Sequence, residues 1–319
     1  MSAAPELPLR SLLFAPGNEP RKVDKVASFG ADAVILDLED AVPDADKVAT
    51  RAMVKTALPR LRGGIVCVRV NGLSTGLTAG DVAAVVAPGL DCIVLPKTES
   101  AEHVLALASL LEEAEGRGGV PAGHVRILPL VETARGLLRG HEIAAASPRV
   151  LTLAFGSGDF TRDLELLSIR WSADGAELSH ARARMVVDAR AAGRARPIDG
   201  PYLSVRDARG FEADAAVAMK IGFQGKLCIH PSQVAPANHR FAPDPDEVAF
   251  CRRVVADFAA AVARGSASIT VDGVFVDYPI ADKAERIIRL ADALAARDAA
   301  FSPLAPGSRN PLSSGERVG

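Results

Sequence analysis

The chain has 319 residues, 49% of them hydrophobic, which is apolar material for a large core and more length than one average domain needs. Charge is nearly balanced, 37 Lys and Arg against 39 Asp and Glu with no long run of one sign, which argues against nucleic acid and anionic membrane as partners. The opening MSAAPELPLRS lacks a basic segment followed by an apolar core, and no stretch approaches the ~20 apolar residues of a membrane span, so a soluble cytoplasmic protein is expected.

Along the chain, short β-branched or leucine-rich runs alternate with alanine-rich amphipathic stretches, the pattern of repeated βαβ units. Eight such runs are predicted as strands: Ser11–Ala15, Ala33–Glu39, Ile65–Asn71, Cys92–Pro96, Arg126–Glu132, Val150–Gly156, Pro197–Leu203 and Gly225–His230. The count predicts an α/β fold closed as a (β/α)₈ TIM barrel, which commonly takes ~250 residues as a single unit. The seventh run is the weakest, because RPIDGPYLS carries two prolines, and an open doubly wound sheet is the alternative. After His230 a Pro- and acid-rich APDPDE precedes a predicted helix from about Glu247 to Arg264. A short segment, SITVDGVFVDYP, and a second helix from about Ile280 to Arg297 follow. The expected organisation is a catalytic barrel over residues 1–240, a helical subdomain over 241–300 and a disordered, Pro-, Gly-, Ser- and Arg-rich tail over 301–319. Cys67, Cys92, Cys228 and Cys251 have neither a zinc spacing nor the density of a disulfide framework and read as small buried hydrophobes.

Polar residues recur at the C-terminal ends of these runs: Asp37, Glu39 and Asp40; Arg69 and Asn71; Lys97 and Glu99; Glu132; Asp159; His230. Barrel enzymes gather their catalytic groups at that end. Glu132 and Asp159 each close an apolar run 27 positions apart, about one strand-plus-helix repeat, which places them on neighbouring strands roughly 5 Å apart. Two carboxylates so placed suit a hard cation such as Mg²⁺, which takes one or two protein carboxylates and fills its remaining positions with water or substrate oxygens. A helix cap or a salt bridge is the plainer use of either residue. Gly156 and Gly158, flanking Ser157 before Asp159, let backbone approach a ligand.

Arg69 is placed to bind a carboxylate or thioester oxygen through its planar fork, or else to pair with Glu39 or Asp40. Lys97 is read first as an ammonium held by acidic neighbours, with a Schiff-base lysine as the alternative. His230 reads as a hydrogen-bonded packing histidine before proline, with a catalytic base as the alternative. No G-x-G-x-x-G follows the first strand and no Walker A sequence occurs. The first loop, APGNEPRKVDK, offers a basic cluster. Arg10, Lys25 and the turn residues Pro16 and Gly17 are its candidates for holding the phosphates of an extended cofactor such as coenzyme A, against the reading of a solvated helix start.

RSLLFAPGNEP, GADAVILDLEDAV, VRVNG, VLPKTE, LPLVET, the Gly-rich loop to Asp159, ARARMVVDARAAG with PIDGPYLSVRD, and GFQGKLCIHPSQV together resemble the citrate lyase β-subunit-like proteins. These belong to the HpcH/HpaI aldolase family with the malyl-CoA and citramalyl-CoA lyases, and the resemblance runs in order through most of residues 10–290. It implies a barrel that binds Mg²⁺ and a CoA thioester and makes or breaks a carbon–carbon bond. It also implies Glu132 and Asp159 as metal ligands, Arg69 as the substrate-binding arginine, and Glu39 and Asp40 as the acidic pair near the metal. VFVDYP resembles the C-terminal segment of the stand-alone lyases, whose aspartate, here Asp277, reaches the active site of a neighbouring subunit, implying a homotrimer or hexamer. The expected activity is cleavage of a malyl-, citramalyl- or citryl-CoA-type 3-hydroxyacyl-CoA; thioester hydrolysis or a non-catalytic subunit of a lyase complex are the alternatives. Two departures stand out. Where members usually read G-A/S-E-D, this chain has Gly156-Ser157-Gly158-Asp159, and it lacks the histidine after the second strand that the wider family's hydroxy-acid aldolases use as a base.

Overall fold

The computed structural model describes residues 8–61, 63–172 and 174–300. Residues 9–241 form one compact unit, and 242–300 belong, with Pro8, to a second. The tail expected from residue 301 lies outside the described residues.

The first unit is a closed, all-parallel barrel of eight strands. They are β1 (Ser11–Pro16), β2 (Ala33–Asp37), β3 (Ile65–Arg69), β4 (Cys92–Leu95), β5 (Arg126–Val131), β6 (Ala154–Phe155), β7 (Ile198–Asp199) and β8 (Gly225–Cys228). Closure comes from β1 against β8, with Ser11 opposite Lys226 and Leu13 opposite Cys228. The open doubly wound alternative is thereby set aside.

Strand alternation sorts the apolar residues into two layers. Leu13, Val34, Leu36, Val66, Val68, Ile93 and Leu95 join Val54, Leu58, Val82, Val104 and Leu107 of the surrounding helices in one apolar cluster. The intervening positions, among them Leu12, Ile35, Cys67 and Val94, are equally buried and face into the barrel, where side chains fill the interior. Both layers are needed because every strand is covered on two faces, which is why the runs read as continuous apolar stretches in sequence.

Two strands are much shorter than expected. The predicted Val150–Gly156 contracts to Ala154–Phe155, and Pro197–Leu203 to Ile198–Asp199. Proline cannot donate to a ladder, so Pro197 and Pro201 bound β7 to two residues. Buried charge secures it instead: Arg182 forks onto Asp199 at 2.9 Å through both Nε and Nη2 and reaches Asp214 at 2.7 Å, while Lys226 pairs with both aspartates. This cluster fastens β7 and β8 to the helices Ala176–Ala191 and Ala208–Ile221.

In the second unit, the helices Pro245–Ala263 and Tyr278–Ala300 flank a hairpin of β9 (Ile269–Val271) and β10 (Val274–Val276). Asp272 and Gly273 turn it with φ of 49° and 81°, the two positive values that a tight Asp-Gly hairpin turn requires. Cys251, Val254, Phe258, Val271, Val276, Ala281 and Ala284 form its core. Asp244 caps the first helix by accepting from the backbone N–H groups of Asp246 and Glu247.

Candidate active site at the barrel rim

The C-terminal ends of the strands surround a cavity of about 340 Å³, whose lining includes Phe14, Asp37, Arg69, Glu132, Gly158 and Asp159. Its floor and walls are partly apolar, with Leu130, Pro201, Leu227 and Ile229 contributing. The polar groups come from the ends of β2, β3 and β5 and from the helix that follows β6, so the strand order of the barrel itself assembles them.

Register brings the first pair together. Asp37 lies opposite Arg69 across β2 and β3, and the guanidinium donates from Nε to Oδ1 at 2.7 Å and from Nη2 to Oδ2 at 2.6 Å. The backbone N–H groups of Glu39 and Ala41 also donate to this carboxylate. Burial pushes the Asp37 carboxyl up, but the Arg69 fork and the two backbone donors outweigh it and hold the group below its ordinary range. Arg69 in turn sits over the Phe14 ring, 4.9 Å from its centroid, and its Nη1 reaches Glu39 at 3.1 Å and Asp40 at 3.6 Å. Of the two uses open to Arg69 from sequence, the ion pairing is present, and its main partner is Asp37 rather than Glu39 or Asp40.

Glu132 immediately follows β5 and is almost wholly buried. Desolvation, then the nearby Asp159 and Glu39 charges, push its carboxyl up to about 8, against the pull of a hydrogen bond from the Lys97 N–H at 2.7 Å. Gly156 makes this placement possible: a methyl group there would come within 2.3 Å of Glu132 Oε2. That glycine is needed for Glu132, whereas a methyl at Gly158 would meet nothing within 4 Å. Asp159 lies in the first turn of the helix Ser157–Asp163 and pairs with Arg162 at 3.0 Å. Glu39 is buried too, and burial raises its carboxyl despite Arg69 and Lys97; its Oε2 accepts no hydrogen bond.

Lys97 is the ammonium held by acidic neighbours that its strand-end position predicts. Its φ is +49°, and its ammonium lies 2.5 Å from Glu39 Oε1 and 3.7 Å from both Asp40 Oδ1 and Asp159 Oδ2. Burial would lower its pKa, but the carboxylates, Glu39 foremost, raise it, which keeps the amine protonated and unsuited to Schiff-base chemistry. His230 is hydrogen-bonded as expected, accepting from the Ser232 N–H in the turn Pro231–Gln233, but it is exposed rather than packed.

The basic cluster of the first loop does not come together. Arg10 precedes β1, at the opposite end of the barrel from the rim, where it is buried and forked onto Asp32 at 2.9 Å through Nε and Nη2. This corrects its expected role in holding phosphate: a basic residue before a strand falls at the far end from one after it. Lys25 is exposed in the last turn of the helix Pro20–Val26. Pro16 lines the rim cavity, and Gly17 is a packing glycine, since a methyl there would come within 2.7 Å of Asp37 O and of Val54. Asp277 belongs to the second unit, where its Oδ1 accepts from Ile280 N–H at 3.3 Å at the start of the last helix.

The donor set suits a hard cation. It is all oxygen, and burial together with the nearby Asp159 and Glu39 charges disfavours the Glu132 carboxylate, a penalty that a cation placed there would offset. Among the described residues, no group of three or more His, Cys, Asp or Glu is placed to hold an ion unaided, so an ion here rests on one or two carboxylates.

A closed α/β barrel with paired carboxylates and an anchored arginine at its rim defines a class of enzyme-like scaffold, and comparison narrows it. The family model for HpcH/HpaI aldolase/citrate lyase matches residues 10–231, and the chain belongs to this family. It is 37% identical to citrate lyase subunit β of Leuconostoc mesenteroides subsp. cremoris, over 89% of this chain and 93% of that one. Two relatives from Cereibacter sphaeroides follow: an L-malyl-CoA/β-methylmalyl-CoA lyase, 34% identical over 92% and 97% of the two chains, and a (3S)-malyl-CoA thioesterase, 33% identical over 91% and 96%. Among solved structures, protein CitE from Mycobacterium tuberculosis in complex with magnesium, acetoacetate and coenzyme A is similar with a TM-score of 0.71 and 32% identity, covering 88% of this chain and 97% of that one. No helix among the described residues is long and apolar enough to cross a membrane.

Proposed function

We propose that this protein is a Mg²⁺-dependent carbon–carbon lyase that splits a 3-hydroxyacyl-CoA of the malyl, citramalyl or citryl type into an acyl-CoA and a 2-oxo acid. The observation that carries the reading is the convergence of Glu132 and Asp159 with the anchored Arg69 on one rim cavity. Magnesium bound in the crystallised relative supports the cofactor, and coenzyme A bound there supports the thioester. A cavity of about 340 Å³ accommodates the hydroxy-acid head of such a substrate and leaves the bulk of coenzyme A outside it.

Glu132 and Asp159 would hold the ion, which would supply Lewis acidity to the hydroxy-acid head of the substrate. Arg69, locked on Asp37, presents its remaining N–H groups to the charge that develops on the thioester oxygen as the carbon–carbon bond breaks. Locking matters because a donor already oriented costs no reorganisation during reaction. Glu39 and Asp40 orient the far edge of that guanidinium. Asp277 of a neighbouring copy delivers a proton to C2 of the acyl-CoA, or removes it in the condensing direction. The apolar lining formed by Phe14, Leu130 and Ile229 limits water at the reacting carbon.

Incubation with Mg²⁺ and a panel of hydroxyacyl-CoA thioesters, with products identified by mass, tests the reading. A lyase yields acetyl-CoA or another acyl-CoA plus an oxo acid, and EDTA abolishes turnover until Mg²⁺ returns. Full activity after exhaustive chelation, or borohydride trapping of Lys97 with substrate, would overturn it. The thioesterase relative favours a second reading in which water attacks the thioester, recognised by release of free coenzyme A. A purely structural place in a lyase complex is disfavoured by VFVDYP, the segment through which a stand-alone enzyme completes its site.

A further inference from the structure

Among the described residues, Lys97 is the one at the rim that touches four carboxylates. Its backbone N–H donates to Glu132 Oε1 at 2.7 Å, while its ammonium lies against Glu39 at 2.5 Å and against Asp40 and Asp159 at 3.7 Å. The residue reaches all of them only from a left-handed backbone, φ +49°, a conformation that a side chain with a Cβ holds where its surroundings force it.

The local charges give the ammonium a purpose. Asp37 and Arg69 neutralise each other through their fork, and Arg162, largely exposed, shields Asp159 only from the solvent side. Arg69 Nη1 also approaches Glu39 at 3.1 Å and Asp40 at 3.6 Å from the β3 side, and the Lys97 ammonium is the cation that reaches Glu39, Asp40 and Asp159 together. About a third of the Lys97 side chain is exposed, and its four-carbon stem is flexible, so the ammonium has a path to solvent that the locked Arg69 lacks.

We propose that Lys97 is an internal counter-cation: its ammonium fills the carboxylate ring when no divalent ion is bound and competes with that ion for the ring, so that Lys97 sets the site's affinity for metal. The inference rests on the reading of this rim as a divalent-cation site. Lys97 acts through Glu39 and Asp159 and is a positioning residue. It holds the carboxylates at their places without metal and weakens metal binding in return, since like charges a few ångströms apart oppose each other.

The test is calorimetric titration of Mg²⁺ and of Mn²⁺ into metal-stripped full-length protein at pH 8, for the wild type, Lys97→Met and Lys97→Arg. Lys97→Met should bind roughly tenfold more tightly than the wild type, and Lys97→Arg should stay close to it. In EDTA, Lys97→Met should melt below the wild type, with the gap closing as Mg²⁺ is added. Unchanged or weaker binding by Lys97→Met, beside a wild type that binds normally, overturns the inference and leaves the metal site standing. A wild type that takes up neither ion overturns both. Should Lys97→Met not fold, Lys97→Gly, which accepts the positive φ, makes the same measurement.

Discussion

At the scale of single residues, the site depends on groups that hold other groups. Arg69 is fixed by two short hydrogen bonds to Asp37, so Arg69→Lys keeps the charge and loses the fork. The expected loss is at least ~10-fold in kcat/KM, about 1.4 kcal/mol of transition-state stabilisation, read from steady-state kinetics. Wild-type kinetics in that variant would remove Arg69 from the chemistry. The two glycines around Ser157 should behave oppositely. Gly156→Ala drives a methyl into Glu132 and should abolish calorimetric Mg²⁺ uptake, whereas Gly158 is helical with open space around it. Gly158→Ala should therefore raise stability by about 0.5–1 kcal/mol in denaturant unfolding, with metal binding intact. Because Gly158 lines the cavity, Gly158→Glu should narrow substrate choice toward smaller hydroxy acids.

Elements are joined by buried ion pairs whose acid sensitivity has a definite sign. Arg149 forks onto Glu115 at 2.8 Å, and the N–H groups of Gly123 and Val125 donate to the same carboxylate, tying the helix Ala101–Gly118 to the starts of β5 and β6. Desolvation raises the Glu115 carboxyl, but Arg149 and these donors prevail and set it below 4.5. A carboxyl more acidic folded than unfolded contributes stability that is complete above its unfolded value and fades as pH drops through the folded one. Glu115→Gln should cost about 3 kcal/mol at pH 7, measured by urea unfolding, and flatten the loss of stability as pH falls below the ordinary glutamate range. An unchanged acid limb would locate the acid sensitivity elsewhere. In the second unit, Asp277 accepts a hydrogen bond at the start of the last helix, a role that asparagine fills equally well. Asp277→Asn should accordingly fold and bind metal while losing proton exchange at C2 of the acyl-CoA product. Mixing it with Glu132→Gln subunits should restore activity, and none despite demonstrated subunit exchange would confine Asp277 to its own chain.

For the whole molecule, the sequence by itself determined the barrel and the position of its chemistry. Eight apolar runs at strand length, each covered on both faces, leave few arrangements other than a closed parallel sheet, and polar residues at their C-terminal ends mark the rim in advance. Glu132 and Asp159 were legible for the same reason, since one βα repeat separates them. The hairpin in SITVDGVFVDYP carries its sequence signal in the Asp-Gly pair at its turn. Pro197 and Pro201 limit β7, and tertiary structure decided what secures so short a strand, because the Arg182, Lys226, Asp199 and Asp214 cluster fastens it across helices distant in sequence. It decided that Arg10 lies at the far end of the barrel, paired with Asp32, and that Asp37 rather than Glu39 is the principal partner of Arg69. It also decided the left-handed turn at Lys97, which no local propensity favours in a lysine. Periodicity and strand-end polarity are one-dimensional signals carried by neighbouring residues. Pairing of charge and backbone strain depend on which residues the closed sheet brings within a few ångströms, and only the folded chain sets that.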